Sequence, residues 1–109
     1  MNNLKIFNNT EFGQVRMIEE NGQIWFCGAD VANALEYKNS RKAIADHCKE
    51  GGVTKRATPT TSGIQSITFI NEPNLYRLII HSKLPSAERF EKWMFEEVLP
   101  AIRKTGKYE

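Results

Sequence analysis

At 109 residues, 40% hydrophobic and 26% charged, the chain has the size and composition of one soluble globular domain with a modest core. No stretch approaches the ~20 continuous apolar residues that span a bilayer. The start MNNLKIFNN lacks the basic-then-apolar layout of a secretion signal, so neither a membrane-spanning nor a secreted protein is expected, and the cytoplasm is. The net charge of +2 is too small to argue for nucleic acid by itself.

The first strand candidate is residues 4–7, LKIF, followed by polar Asn8-Asn9-Thr10. Residues 12–20, FGQVRMIEE, are rich in extended-chain formers, and Asn21-Gly22 suits a type I′ turn, whose two positive φ angles these residues tolerate. Residues 23–26, QIWF, supply the returning strand of a hairpin. Gly28 and Ala29 leave the strand. Asp30 then begins a helical run, ADVANALEY, with Val31, Ala32 and Leu35 along one side. Lys38-Asn39-Ser40 interrupts it, because such residues favour caps and turns. Ser40 is placed to cap a second helix, RKAIADHC, whose Ala43, Ile44, His47 and Cys48 share a face, and Glu50-Gly51-Gly52 ends it. On that apolar side His47 is expected as a hydrogen-bonded core residue rather than a ligand.

Residues 53–58 and 64–70 alternate like two strands, with Ile67 and Phe69 on one face and Ser66 and Thr68 on the other. Between them PTTSG, residues 59–63, reads as a flexible hairpin loop, its Thr/Ser tip either solvated or touching phosphates. Lys55 and Arg56 are adjacent in a strand and must point to opposite faces.

Residues 71–107 read as two helices and a turn. In the first, Leu75, Leu78 and Ile79 recur at helical spacing, Tyr76 and Ile80 widen the stripe, and Asn71 with Pro73 marks the start. A helix apolar on so much of its circumference is expected to be buried. Pro85 breaks the pattern and Ser86 is placed to cap the second helix, whose stripe is Phe90, Trp93, Met94, Val98 and Ala101 or Ile102. Phe95 lies beside that stripe, where extra apolar width meets either more core or a partner. Pro100 is expected to kink this helix and Gly106 to stop it. Glu19-Glu20 and Glu96-Glu97 read as solvent-exposed charge on a turn and a helix.

Charge is concentrated mid-chain. Residues 38–56 hold six basic side chains, Lys38, Arg41, Lys42, Lys49, Lys55 and Arg56, against Asp46 and Glu50, whereas residues 1–37 hold two basic and five acidic ones. Two short helices joined by a polar turn have the outline of a helix-turn-helix, with basic residues where a recognition helix meets DNA. Arg41 and Lys42 would pair with phosphates, Asn39 and Ser40 would read base edges or hold a backbone oxygen, and Lys49 and Lys55 would add positive charge. The alternative is a core-building helix corner with a solvated basic face.

For catalysis the usual signatures are missing: no Gly-rich phosphate loop, no HExxH, no clustered Cys/His set and no G-x-S-x-G. Cys27 and Cys48 lack motif spacing and are expected to be reduced and buried. Neither enzyme activity, cofactor nor metal is expected.

Several segments carry a resemblance across nearly the whole chain: IWFCGADVANALEYKNSRKAIADHC, the strand GVTK, INEPNLYRLI, and EEVLPAIRKTG near the end. The first resembles the W-F-x-x-x-D-V-x-x-x-L-x-Y pattern followed by a basic R-K-A-I helix of the Bro-N domain, the N-terminal module of phage and prophage antirepressors and of baculovirus repeated-ORF proteins. Glu72-Pro73-Asn74 departs from the Glu-Ser-Gly form of that family, a change a helix start tolerates. The resemblance implies a small α+β domain, here an antiparallel sheet of hairpins with the short helix-turn-helix-like pair and a C-terminal helix pair. Residues 1–109 would be one such domain, standing alone or at the front of a longer antirepressor. It further implies DNA binding in phage gene regulation. A repressor protein or a second copy of the chain, met through the C-terminal helices and Phe95, is the alternative partner.

Overall fold

The computed structural model describes residues 3–106, with side chains from Leu4 to Arg103. Five antiparallel strands form one sheet in the order β1-β2-β3-β5-β4: β1 Asn3–Asn9, β2 Gly13–Glu20, β3 Gln23–Cys27, β4 Val53–Thr60 and β5 Gly63–Ile70. The Asn21-Gly22 turn forms as its chemistry dictates, with φ of 53° and 75°. Phe12 stays outside β2, in a turn whose Glu11 and Phe12 N–H groups donate to Asn9 Oδ1. The expected loop at 59–63 is tighter than its composition suggests. Pairing continues to Thr60↔Gly63, leaving a two-residue turn whose Ser62 N–H donates to Thr60 Oγ1.

The sheet curls. Only Phe26↔Ile70 and Cys27↔Phe69 join β3 to β5, so the β4–β5 hairpin swings on a short seam. Arg56 on β4 reaches Glu20 on β2, with two strands between them, through bonds of 2.8 and 3.0 Å. Glu20 is thus a half-buried ion-pair partner rather than the solvated turn charge expected. Inside the curl Ile18, Cys27 and Phe69 form a small cluster with Leu4, Trp25 and Ile67.

Helices cover the other face, where Val15, Met17, Phe26 and Ile70 enter the main core. They are α1 Gly28–Ala34, α2 Ser40–His47, α3 Glu72–Ser82, α4 Pro85–Trp93 and α5 Leu99–Gly106. α3 starts as read, with Asn71 Oδ1 accepting from the Asn74 N–H, and it closes on Lys83 at φ 60°. It buries Leu75, Leu78 and Ile79 but leaves Tyr76 44% and Ile80 61% exposed, so the widened stripe is not fully covered. Phe90, Met94 and Leu99 are fully buried, each stabilising the core by about 1.5–3 kcal/mol.

Two caps fall elsewhere than expected. Asn39, not Ser40, caps α2, because its side chain accepts from the Lys42 N–H. Ser86 caps nothing; Pro85 opens α4, its fixed φ suiting the first helical position. α4 runs without a break through a π-helical turn, Met94–Val98, into α5. Pro100, where a kink is expected, lies in the first turn of α5, just after this wider turn. α5 continues through Gly106, and anything beyond lies outside the described residues. His47 is half-buried and stacks on His81, centroids 4.4 Å apart, so among the described residues ring contact rather than the expected hydrogen bond holds it.

Candidate nucleic-acid interface

Three anchors fix the region around α2. At the first, β2–β3 pairing stops at Met17↔Phe26, and the Arg16 N–H donates instead to Asp30 Oδ2 at 2.9 Å. The Arg16 guanidinium grips the same carboxylate with bonds of 2.9 and 3.0 Å, pinning α1 to the sheet. The second is Tyr37, whose hydroxyl donates to the Leu78 carbonyl at 2.7 Å and ties the α1–α2 linker to α3. The third is Asn74, wholly buried. Its Oδ1 accepts from the Lys49 N–H, and its Nδ2 donates to the carbonyls of Lys49 and Gly52. This amide holds the segment between α2 and β4 against α3.

Between the start of α2 and the base of the β4–β5 hairpin lies a groove of about 640 Å³. Ser40 and Arg41 line one wall, Lys55, Ser66 and Thr68 the other, with Arg16 and Ile67 also present. Asp30 is the first cause of a raised Arg16 pKa and neutralises that cation, so positive charge in the groove rests on Arg41 and Lys55. Neither makes an ion pair among the described residues. Two cations without an ion pair among the described residues, set among the hydroxyls of Ser40, Ser66 and Thr68, are donors that phosphate oxygens accept.

Ser40, Arg41 and Lys55, read separately from the sequence, therefore meet in one groove. Lys38 and Lys49 are exposed outside it, and neither is ion-paired among the described residues. Asn39 spends Oδ1 on the helix cap, leaving its Nδ2 donors. Lys42 turns away to Asp46 at 2.8 Å, four residues on. Strand alternation holds, since Arg56 faces the Glu20 side while Lys55 faces the groove. Arg16, Ser66 and Thr68 were not among the residues expected here. The polar alternation of Ser66 and Thr68 was visible, but nothing local places that strand beside α2.

Phe95 is half-buried, packed against the main core and edge-on to Tyr76 at 5.7 Å. The two rings line a shallow hollow with Glu72, Pro73 and Glu91. The cysteines are unbridged. Burial raises the Cys27 thiol, Asp30 adding to the effect, and pushes the Cys48 thiol up to about 11, so both stay protonated at neutral pH. Among the described residues no group of three His, Cys, Asp or Glu is placed to hold a metal, and no helix is long and apolar enough to cross a membrane.

Fold and groove together define a small α+β domain with an open basic cleft between a helix and a hairpin. Residues 14–100 match the BRO family, N-terminal domain (Bro-N), and the chain belongs to that family. It is 67% identical over 93 residues to an uncharacterized protein of Haemophilus influenzae, covering 85% of this chain and 46% of that one. It is 35% identical over 107 residues to a putative Bro-N domain-containing protein of Invertebrate iridescent virus 3, covering 78% and 26%. An uncharacterized Bro-N domain-containing protein of Autographa californica nuclear polyhedrosis virus is 32% identical over 120 residues, covering 94% and 36%. The chain thus spans less than half the length of these relatives. No solved structure matches it significantly.

Proposed function

We propose that this chain is a non-catalytic DNA-binding domain of the prophage antirepressor type, acting in phage gene regulation in the host cytoplasm as the N-terminal module of a longer protein. The observation that carries the reading is a pair of cations, Arg41 and Lys55, without an ion pair among the described residues and on the two walls of one groove. Arg41 and Lys55 neutralise phosphates and release counterions, Ser40 and the Asn39 amide lie where the backbone or a base edge passes, and Lys38, Lys42 and Lys49 extend the positive margin. Lys42 exchanges Asp46 for a phosphate readily, since an exposed ion pair is weak.

Fluorescence anisotropy with random double- and single-stranded DNA across a salt series tests this. Binding is expected to weaken steeply with salt, and the Arg41→Ala/Lys55→Ala variant is expected to lower the log–log slope by roughly 0.9 for each phosphate it no longer neutralises. Equal affinity and slope in the variant would sink the assignment.

A second reading rests on Tyr76 and Ile80 of α3, which stay 44% and 61% exposed, and on Phe95, half-buried against Tyr76. It makes this exposed side of α3 with Phe95 the seat of a protein partner, a phage repressor or a second copy of the chain. Sedimentation of the wild type and Ile80→Lys, alone and with a repressor, checks it; identical behaviour of the two removes the support.

A further inference from the structure

Residues of β4 and β5 that oppose each other in register share a face of the hairpin. One face carries Lys55↔Thr68, Ala57↔Ser66 and Pro59↔Ile64. It is continuous with the core-facing side of the sheet, and α2 meets it at its base, across the groove from Lys55, Ser66 and Thr68. Beyond Thr68 all of these residues are exposed, up to Ile64 at 70%, the highest value among the exposed large hydrophobics. The opposite face is largely occupied, with Thr58 at 2% exposure, Phe69 at 0% and Arg56 tied to Glu20, and Gln65 is its exposed position. The hairpin is therefore an arm held from behind and bare in front. Its front begins in the basic groove at Lys55, Ser66 and Thr68 and ends in an apolar pair at the tip.

That tip is firm. Thr60 Oγ1 donates to the Gly63 carbonyl at 2.7 Å and accepts from the Ser62 N–H at 3.2 Å, and Pro59 has a fixed φ. From Lys55 to Pro59 the arm extends about 13 Å at the usual rise of a strand. An isoleucine and a proline on a rigid ribbon, approached along a row of hydroxyls from a cationic groove, form the kind of wedge that unstacks a base step once phosphate contacts have seated the ribbon.

We propose that the β4–β5 arm lies along duplex DNA and that Pro59 and Ile64 insert at a base step and bend the duplex. The proposal rests on the DNA-binding reading above. It adds a second contact, made with the base stack instead of the phosphates, and assigns a role to the exposed tip.

The test uses the whole chain and a 30-base-pair duplex carrying 2-aminopurine beside flexible TA steps, with a donor–acceptor dye pair at its ends. Bound protein is expected to raise the 2-aminopurine fluorescence and the energy transfer together. Ile64→Ser, at an exposed site that leaves the fold intact by circular dichroism, is expected to lose both signals while keeping the salt slope, and Ile64→Leu to restore them. Wild-type binding without either signal overturns the wedge but leaves the groove reading standing, as does an Ile64→Ser variant that bends DNA like the wild type. Absence of any binding at low salt overturns both. A concentration-dependent dimer abolished by Ile64→Ser would assign the tip to self-association and overturn the wedge.

Discussion

Among single residues, Asn74 does the most to hold the site together. A buried amide is tolerated only when its polar atoms are matched, and here Oδ1 accepts from Lys49 and Arg77 while Nδ2 donates to two carbonyls. Removing it leaves the Lys49 N–H without its partner and takes one of two bonds from each of the Lys49 and Gly52 carbonyls, which keep those from the Gly52 and Asn71 N–H groups. Asn74→Ala is expected to cost about 2–3 kcal/mol in urea unfolding, with a loosened link between α2 and β4 that, on the proposed DNA-binding reading, weakens binding more than stability alone would. A cost below that of a surface substitution would show that the segment is held some other way.

For the helices, the informative comparison is between two caps. Asn39 sits at the start of α2 with its side chain on the Lys42 N–H at 3.1 Å, whereas Ser86 lies inside α4 and caps nothing. Asn39→Ala is expected to destabilise by about 1 kcal/mol, and Ser86→Ala to stay within a few tenths because alanine is a good helix former. Thermal melts of the two variants side by side check this. Equal effects would contradict the cap assignment. The same comparison separates the cap from the proposed DNA contact of Asn39, since a variant with normal stability restored at lower temperature but weaker binding would support its Nδ2 as that contact.

For the molecule as a whole, acid is the expected weakness. Hydrogen bonds from Arg89, Arg56 and Lys42 lower the pKa of Glu11, Glu20 and Asp46 from ordinary values of 4.5, 4.5 and 3.8. A carboxylate whose folded pKa is depressed contributes stability above its unfolded value and loses it as pH falls through the folded one. Urea midpoints are therefore expected to be flat from neutral pH to about pH 5 and to fall below that. Glu20→Gln is expected to flatten part of the fall, since it removes the pair that closes the curled sheet. A midpoint that rose on acidification would reverse the sign and refute the linkage.

By itself the sequence determined what depends on near neighbours. Asn21-Gly22 set the β2–β3 hairpin, Asn71 and Pro73 the start of α3, the alternation of Ile67 and Phe69 with Ser66 and Thr68 the faces of β5, and adjacency the opposed directions of Lys55 and Arg56. Composition and spacing also located the basic block and three of the groove residues, Ser40, Arg41 and Lys55. Tertiary structure decided what depends on who lies across the gap. Glu20 looked like solvated turn charge until the curl of the sheet brought Arg56 to it, and the pairing of Arg16 with Asp30 joins residues of β2 and α1 that no local pattern links. Tyr76 and Ile80 looked buried because periodicity reports how wide an apolar stripe is, not how much of it a neighbour covers. The groove itself exists because β5 pairs with β3 over two residues and lets the hairpin pass beside α2. That pairing joins positions remote in sequence, and no local propensity encodes it.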